Sequence, residues 1–443
     1  EGRDAVAAAG STAGRLSALA TAGSLVGTFV ASLALIPLVG TRRTFLIFAL
    51  ILAILAVWGL ASLRHEDGTA AEAAGPDGDG ERDGRAVVDG TASSTRDTPA
   101  ATATLSTGHR FAPRLIGLAA LVPAAIALLI ALPTPTVKAA SGTQTLLEER
   151  ETNEQYARVL ESPGGVRTME LGEGQAIHSY ARPGTMLTEN YWDELLVLPQ
   201  LAGRSPKKVL ILGNAGGTTA TALRTLDPQV HVDAVDYDRQ LAQLGRTWFD
   251  LGGDRLGLFA GDARVELRHS EGGYDAIIVD AYRQPYIPFH LSTREFFELV
   301  REKLAPGGVV LINVGHPEGS DQLEKVLSAT LRAAGFSSVL RDPAQPVNTQ
   351  LIGRAEPIDT TAISDYAGVL ATTPAQDPGR TKASGTVPLA QIAADRKALA
   401  TTALATVARL EPGFEGGTVY TDDKAPVELL IDGSLAKIAT GGG

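Results

Sequence analysis

Three aspartates, each closing or following a short apolar run, are the side chains best placed to do chemistry. Asp236 closes HVDAVD, Asp262 sits in FAGDA and Asp280 closes YDAIIVD. A carboxylate at such a position can accept hydrogen bonds from ribose hydroxyls or bind an amine, or it can take up a proton as a general base. Asp238 follows Asp236 by two residues. Aspartates in such loops also cap the next helix, and for Asp238 and Asp262 both roles stand open. For Asp280 capping is the weaker reading, because AYRQPYIPF follows it and no helix is expected before residue 292.

The elements that would position these acids can be read around LGNAGG, which holds Gly213, Gly216 and Gly217. Residues 209–212 predict a buried strand, the glycines a tight turn, 218–226 a helix and 231–235 a second strand tipped by Asp236. Strand, glycine turn, helix, strand and acid is how open α/β sheets hold an adenosine-type ligand: glycines admit the ligand to the backbone and the acid takes the ribose. The turn is GxAGG rather than GxGxxG, so its context carries the reading. Further strands are expected at 257–260, 275–279, 309–314, 338–341 and 349–353, with helices at 240–249, 293–304 and 321–335. This alternation predicts a doubly wound sheet, and two late strands with no helix between them predict that the last runs antiparallel.

Ahead of it, residues 155–180 alternate between apolar and polar around glycine-rich turns, which predicts a small antiparallel sheet within a β domain at 146–200. The α/β domain spans 201–353, and 354–443 is a C-terminal part. There 354–385 reads as a loop or partial lid, 388–410 as a helix, and 421–432 as an acidic end or a gate. Asp275 opens its strand and is expected to point away from the crevice. His178 and His290 are lone histidines weighted towards structural or surface roles. Tyr191, Trp192 and Asp193 form a cluster that either cradles a cationic amine or packs the small sheet against the α/β domain.

The first third differs in kind. Residues 19–39 and 44–63 are apolar enough to span a bilayer and are joined by GTRR; 115–132 is a third such run. Gly23 and Gly27 form a GxxxG step that either lets a neighbouring helix approach or reflects glycine abundance. Residues 64–114 hold almost no large apolar side chains and are expected to be a disordered linker. Arginines flank the runs on both sides, so charge does not set the orientation. The large domain is placed in the cytoplasm because its expected ligand is made there. The net charge of −11 argues against nucleic-acid binding, and the absence of cysteine excludes thiolate catalysis and Cys-ligated metals. No HxH or HxxxH pair occurs among the seven histidines, so no metal is expected. The chain begins at Glu1 without Met, as a piece of a longer protein would.

Residues 150–353 and TDDKAPVE resemble the spermidine synthase (polyamine aminopropyltransferase) family, and SLVGT with IPLVGTRRTFLI resembles its membrane-fused bacterial members. The resemblance implies a Rossmann-like, class I methyltransferase-type fold preceded by transmembrane helices, with decarboxylated S-adenosylmethionine as co-substrate. It implies that Gly213, Gly216 and Gly217 cradle the nucleoside, Asp236 holds the ribose and Asp262 meets the adenine. Asp280 would help deprotonate the attacking amine, assisted by Tyr191. Asp193, matching the Glu of the family's Tyr-His-Glu motif, and Tyr282 would contact the substrate. The chain departs from the family where GNAGG lacks the acid of GGGDGG, where Arg283 replaces the second Asp of DSSD, and where Trp192 replaces the motif's His.

The reading that follows is a membrane-anchored transferase moving an aminopropyl group to a polyamine acceptor, with a homodimer as a candidate assembly. The alternatives are an S-adenosylmethionine-dependent methyltransferase of the same fold, in which Arg283 could face a carboxylate, and a non-catalytic nucleoside-binding domain fused to transporter-like helices.

Overall fold

The structure, a computed structural model, describes residues 2–72, 125–127, 136–140, 142–172, 176–282, 286–376 and 387–439. They fall into two compact units, Glu1–Pro135 and Thr136–Gly443.

In the first unit, helix α1 (Gly2–Val30) passes through a π-helical turn, Ala31–Leu35, into Ile36–Val39. Pro37 has no N–H to give to the preceding turn, and a widened turn beside it accommodates the missing bond. Gly40, at φ 86°, stops the helix, and α2 (Thr41–Glu72) begins at once. Ser17–Leu35, with a mean hydropathy of 1.8, is long and apolar enough to cross a membrane by length and composition. Helix α2 runs past 63, so residues 64–72 are helical and not part of a linker; an established helix adds residues cheaply. The remaining expected linker and the third apolar run lie outside the described residues, apart from the helical residues 125–127.

The second unit holds two sheets. Strands β1 (Thr145–Glu151), β2 (Tyr156–Glu161), β3 (Arg167–Leu171) and β4 (Ile177–Ala181) form an antiparallel meander in that order. The large sheet has the order β12-β10-β11-β9-β8-β5-β6-β7. Strands β5 (Lys208–Leu212), β6 (His231–Asp236), β7 (Leu256–Ala260), β8 (Tyr274–Val279) and β9 (Leu304–Gly315) are parallel. Strand β11 (Asn348–Arg354) runs antiparallel to both β9 and β10 (Ser338–Gln345), as the late pair of strands predicts. The two-residue strand β12 (Glu411–Pro412) closes that edge.

Helices cover both faces, so central strands read as unbroken apolar runs instead of alternating ones. All six residues of β8 are buried. Removing a Val or Ile of this kind from water is worth about 1.5–3 kcal/mol. Helices α3 (Thr218–Leu226), α4 (Arg239–Trp248), α5 (Ala263–His269), α6 (Arg294–Lys303) and α7 (Gln322–Ala333) follow β5, β6, β7, β8 and β9. The small sheet docks through Val159 and Met169 onto Leu241, Leu244 and Phe249, at α4 and just beyond it.

Two local expectations are corrected. Residues 194–202 are helical, and Leu195, Leu198 and Leu201 share a core with Val209 and Ile211, so the small sheet itself stops at Ala181. The stretch expected as loop or lid contains helix α8 (Thr361–Thr372). Its Ile363, Ala367 and Leu370 recur at helical spacing and are buried, and α8 lies against α9 (Leu389–Arg409). Residues 377–386 of that stretch lie outside the described residues. Helix α10 (Val427–Ala439) ends the described chain.

Candidate active site

Strand β5 leads to β6 and β7 on one side, while β8 and β9 lie on the other. Such a reversal of strand order opens a crevice beyond the carboxyl ends of the strands. A cavity of about 800 Å³ occupies this position, and Gly213, Asp236, Asp262, Asp280, Tyr191 and Tyr282 all line it. That volume suits a nucleoside-sized ligand with an attached chain.

The glycine turn is fixed by contacts on both sides. Gly213 has φ +92°, and a Cβ there would lie 2.3 Å from the Asp280 carbonyl oxygen. Gly217 has φ +90° and starts α3; a Cβ on it would strike Leu251. The Gly216 amide donates to Ser179 Oγ on β4 (2.7 Å). Gly216 and Gly217 therefore serve the close seating of the turn against the small sheet and Leu251, and only Gly213 of the three lines the cavity.

Asp236 holds the turn from the other side. Its Oδ2 accepts from the amides of Asn214 (3.1 Å) and Ala215 (2.7 Å), and its Oδ1 from that of Asp238 (3.0 Å). Burial raises its pKa, and these backbone donors oppose the rise. Asp238 caps α4 through the Gln240 amide (2.9 Å). Asp262 caps α5, its Oδ1 accepting from the amides of Arg264 and Val265 (3.0 Å each), while its Oδ2 meets His290 Nε2 at 2.8 Å on the cavity wall. His290 thus lines the cavity beside an acid instead of being merely a surface residue.

Asp280 stands at the tip of β8, midway along the crevice. Tyr191 donates to its Oδ2 (3.0 Å) and Asn313 Nδ2 to its Oδ1 (2.7 Å). Burial pushes its pKa up to about 7, against hydrogen bonds from Asn313, Tyr191 and Trp192 that favour the charged form. A carboxyl poised there can exchange a proton near neutral pH. Burial and the Asp280 charge hold the Tyr191 hydroxyl well above its ordinary pKa, so it remains a donor. Trp192 is buried and lies against Tyr191, with ring centroids 4.4 Å apart, and stacks on Tyr180 of β4 (6.2 Å). It lines the cavity and also joins the two sheets.

Two expected substrate contacts are placed differently. Both carboxylate oxygens of Asp193 are taken by the chain itself: Oδ1 accepts from the Thr188 amide and hydroxyl, and Oδ2 from the Glu189 amide. It is buried in its own loop and does not line the cavity. The Tyr282 hydroxyl donates to the Asn313 carbonyl (2.6 Å) and accepts from the Gly315 amide, so only its ring is offered to a ligand. Arg283 lies outside the described residues. Asp275 sits at the far end of β8, bound to Arg204 and to the amides of Lys207 and Lys208.

Several cavity residues escaped the sequence reading. Asn313, within VVLINVG, is the polar break in an otherwise apolar strand, and that break was the available signal. Its Oδ1 accepts from Asn348 (2.9 Å) and Gln350 (3.0 Å), which fixes its Nδ2 towards Asp280. His178 also lines the cavity; burial lowers its pKa to about 4, so it is neutral at pH 7. The acidic C-terminal element is neither free nor simply solvated: Asp422 forms a two-pronged pair with Arg264 (2.7 Å each), and Ile431 of α10 lines the cavity.

Residues 189–340 match the family model described as the spermine/spermidine synthase domain. Over 171 residues the chain is 33% identical to a probable polyamine aminopropyl transferase of Bifidobacterium longum, covering 38% of each chain. Over 112 residues it is 36% identical to a polyamine aminopropyltransferase of Vibrio vulnificus, covering 24% of this chain and 38% of that one. The chain thus spans well under half the length of these curated relatives. A solved structure of a probable spermidine synthase from Corynebacterium glutamicum superposes with a TM-score of 0.44 at 19% identity, covering 62% of this chain and 96% of that one. The region from Glu189 to Leu340 that matches this domain model holds Tyr191, the glycine turn, Asp236, Asp262, Asp280 and Asn313, and it is similar to the spermine/spermidine synthase domain family.

Proposed function

We propose that this chain transfers an aminopropyl group from decarboxylated S-adenosylmethionine to an amine acceptor. The observation that carries the reading is Asp280: a part-buried carboxyl on the cavity wall, its pKa pushed up to about 7, clamped by Tyr191 and Asn313 between the glycine turn and the β9–β11 end of the cavity. Among the described residues lining the cavity, the charged side chains are Glu154, Asp236, Asp262 and Asp280, with no lysine or arginine. A wall of that sign favours a sulfonium and an ammonium over anionic ligands.

The step is an in-line displacement. The acceptor nitrogen forms a bond to the carbon next to the sulfonium, and the carbon–sulfur bond breaks with its electron pair going to sulfur. A neutral thioether nucleoside leaves. The proton lost by the nitrogen goes to the Asp280 carboxylate, which the Tyr191 and Asn313 donors hold in place. Asp236 would bind the ribose and Asp262 the adenine amine. The test is titration of the full chain with decarboxylated and intact S-adenosylmethionine, followed by assay of thioether release. Tighter binding of the decarboxylated form, with release only when an amine is present, is expected.

A second reading has one observation in its favour: Asn214 and Ala215 put no acid in the glycine turn to meet an aminopropyl ammonium. A methyltransferase of this fold would bind intact S-adenosylmethionine more tightly and release S-adenosylhomocysteine. We also propose that Ser17–Leu35 and the apolar helix after it anchor the domain to the cell membrane as a multi-pass, membrane-fused member of the family, with the large domain in the cytoplasm. The length and hydropathy of Ser17–Leu35 support this, and for the helix after it the support is the apolar run of residues 44–63 in the sequence. Protease protection in sealed, oriented vesicles tests it.

A further inference from the structure

At the β7 end of the cavity, one carboxylate makes more bonds than capping a helix requires. Asp262 Oδ1 accepts from the amides of Arg264 and Val265, and Oδ2 lies 2.8 Å from His290 Nε2. An ionised carboxylate only accepts, so the proton of this last bond sits on His290 Nε2. A carboxylate offers about four acceptor sites, and among the described residues the chain itself fills all but one. The site left over is on Oδ2, beside the imidazole, and both side chains line the cavity.

His290 is also held from outside the cavity. It lies in the single turn Phe289–Leu291, and its carbonyl accepts from Arg264 Nη1 (3.2 Å). Arg264 is gripped in turn by both oxygens of Asp422 (2.7 Å each), and Asp422 Oδ1 accepts from the hydroxyl of Thr293, the cap of α6 (2.7 Å). Phe289 meets the imidazole edge-on, with centroids 5.5 Å apart. The C-terminal segment thus fixes the backbone of His290, and Asp262 fixes its ring. The benefit returns to Asp262. Cap bonds alone hold one oxygen and let the carboxylate turn about it, whereas the His290 bond fixes the second oxygen and with it the carboxylate plane. A preset acceptor of that kind suits one N–H of a planar ligand, and a ligand lacking that N–H leaves the acceptor unmatched.

We infer that His290 is a positioning residue that sets nucleobase specificity: by fixing Asp262 Oδ2, it makes the cavity select a 6-aminopurine over a purine without the amine. The inference rests on the nucleoside reading above and adds a residue to it. Side-chain exposure is 31% for His290 and 34% for Asp262, so water competes for the bond and the selection is of the order of tenfold.

The test is calorimetric titration of the full chain with 5′-methylthioadenosine and with its 6-deamino analogue, which carries hydrogen at C6. Wild type is compared with His290→Phe, His290→Ala and His290→Gln. Wild type is expected to bind the amino form about tenfold more tightly. The Phe and Ala variants lack the donor, and each is expected to reduce that ratio by about fivefold. The Gln variant keeps an N–H donor and is expected to stay within about twofold of wild type. His290→Phe retains a ring against Phe289, so it reports on the bond where His290→Ala fails to fold. A purely structural role would lower the melting temperature and weaken both ligands together, with their ratio unmoved. An unchanged ratio in His290→Phe, a Gln variant no better than Phe, or a wild type that does not distinguish the two ligands overturns the inference. Failure of the transfer reading shows separately: the ratios follow the expected order, yet no thioether is released from decarboxylated S-adenosylmethionine in the presence of an amine.

Discussion

The two halves of the cavity recognise by different means. The β5–β7 half is set by backbone: one carboxylate, Asp236, gathers three amide N–H groups and thereby shapes the turn that Gly213 brings against Asp280. The β9–β11 half is set by side chains, a run of amides that orient one another and end on Asp280. A turn held by backbone bonds demands glycine and an acid at fixed spacing and tolerates little else. Side-chain amides can be exchanged while the strands remain, so this half can change its ligand without changing the fold. Asp280 belongs to both halves, and substitutions along the cavity should separate them.

The largest effect is expected at that shared point. Asp280→Asn should lower kcat about 10²–10⁴-fold while donor affinity, measured by calorimetry, stays within a few-fold. Stability should move the other way. The folded pKa near 7 lies above the ordinary carboxyl value, so Asp280 costs folding free energy as pH rises through that window. Above pH 7 the Asn variant should therefore melt no lower than wild type, and its melting temperature should fall less between pH 5 and pH 8.

Asp236→Asn strikes the backbone-set half. An amide has one acceptor oxygen where the carboxylate serves three N–H groups, so donor affinity should fall about 10–100-fold, with the KM for the amine little changed. Asn313→Ala strikes the other half. It removes a donor that holds down the pKa of Asp280, so the acidic limb of kcat/KM against pH should shift upward, and the rate at pH 7 should drop several-fold. The smallest functional effect belongs to Asp193→Asn, outside both halves. It should cost about 1–2 kcal/mol in denaturant melts through the Thr188 and Glu189 bonds, and leave kcat and both KM values unmoved.

The same contrast explains what could be read from the sequence. The parallel core, the antiparallel return of β11 and the acids at the strand tips were legible because each leaves a local pattern: apolar runs, helical spacing and a residue at a fixed offset. The glycines were legible as a turn, but not which neighbour each one meets, since Ser179 and Leu251 lie far off in the chain. Helix α8 was hidden in a polar, proline-flanked stretch whose buried side is only three residues wide. Asp193 resembled a substrate contact by its motif position, yet its loop folds back and uses both of its oxygens. The amide half left almost no mark: Asn190, Asn313, Gln345 and Asn348 come from three separate segments, and only the lone Asn in β9 broke a pattern.

The proposed transfer needs Asp280 as a base poised near neutrality between a bound sulfonium nucleoside and an amine. The pH dependence of kcat/KM for thioether release, with decarboxylated S-adenosylmethionine and a fixed amine, tests this directly. A rise of about tenfold per pH unit that levels off near pH 7, and is absent from the residual activity of Asp280→Asn, is the predicted result. A flat profile, or the same limb surviving in Asp280→Asn, would contradict it.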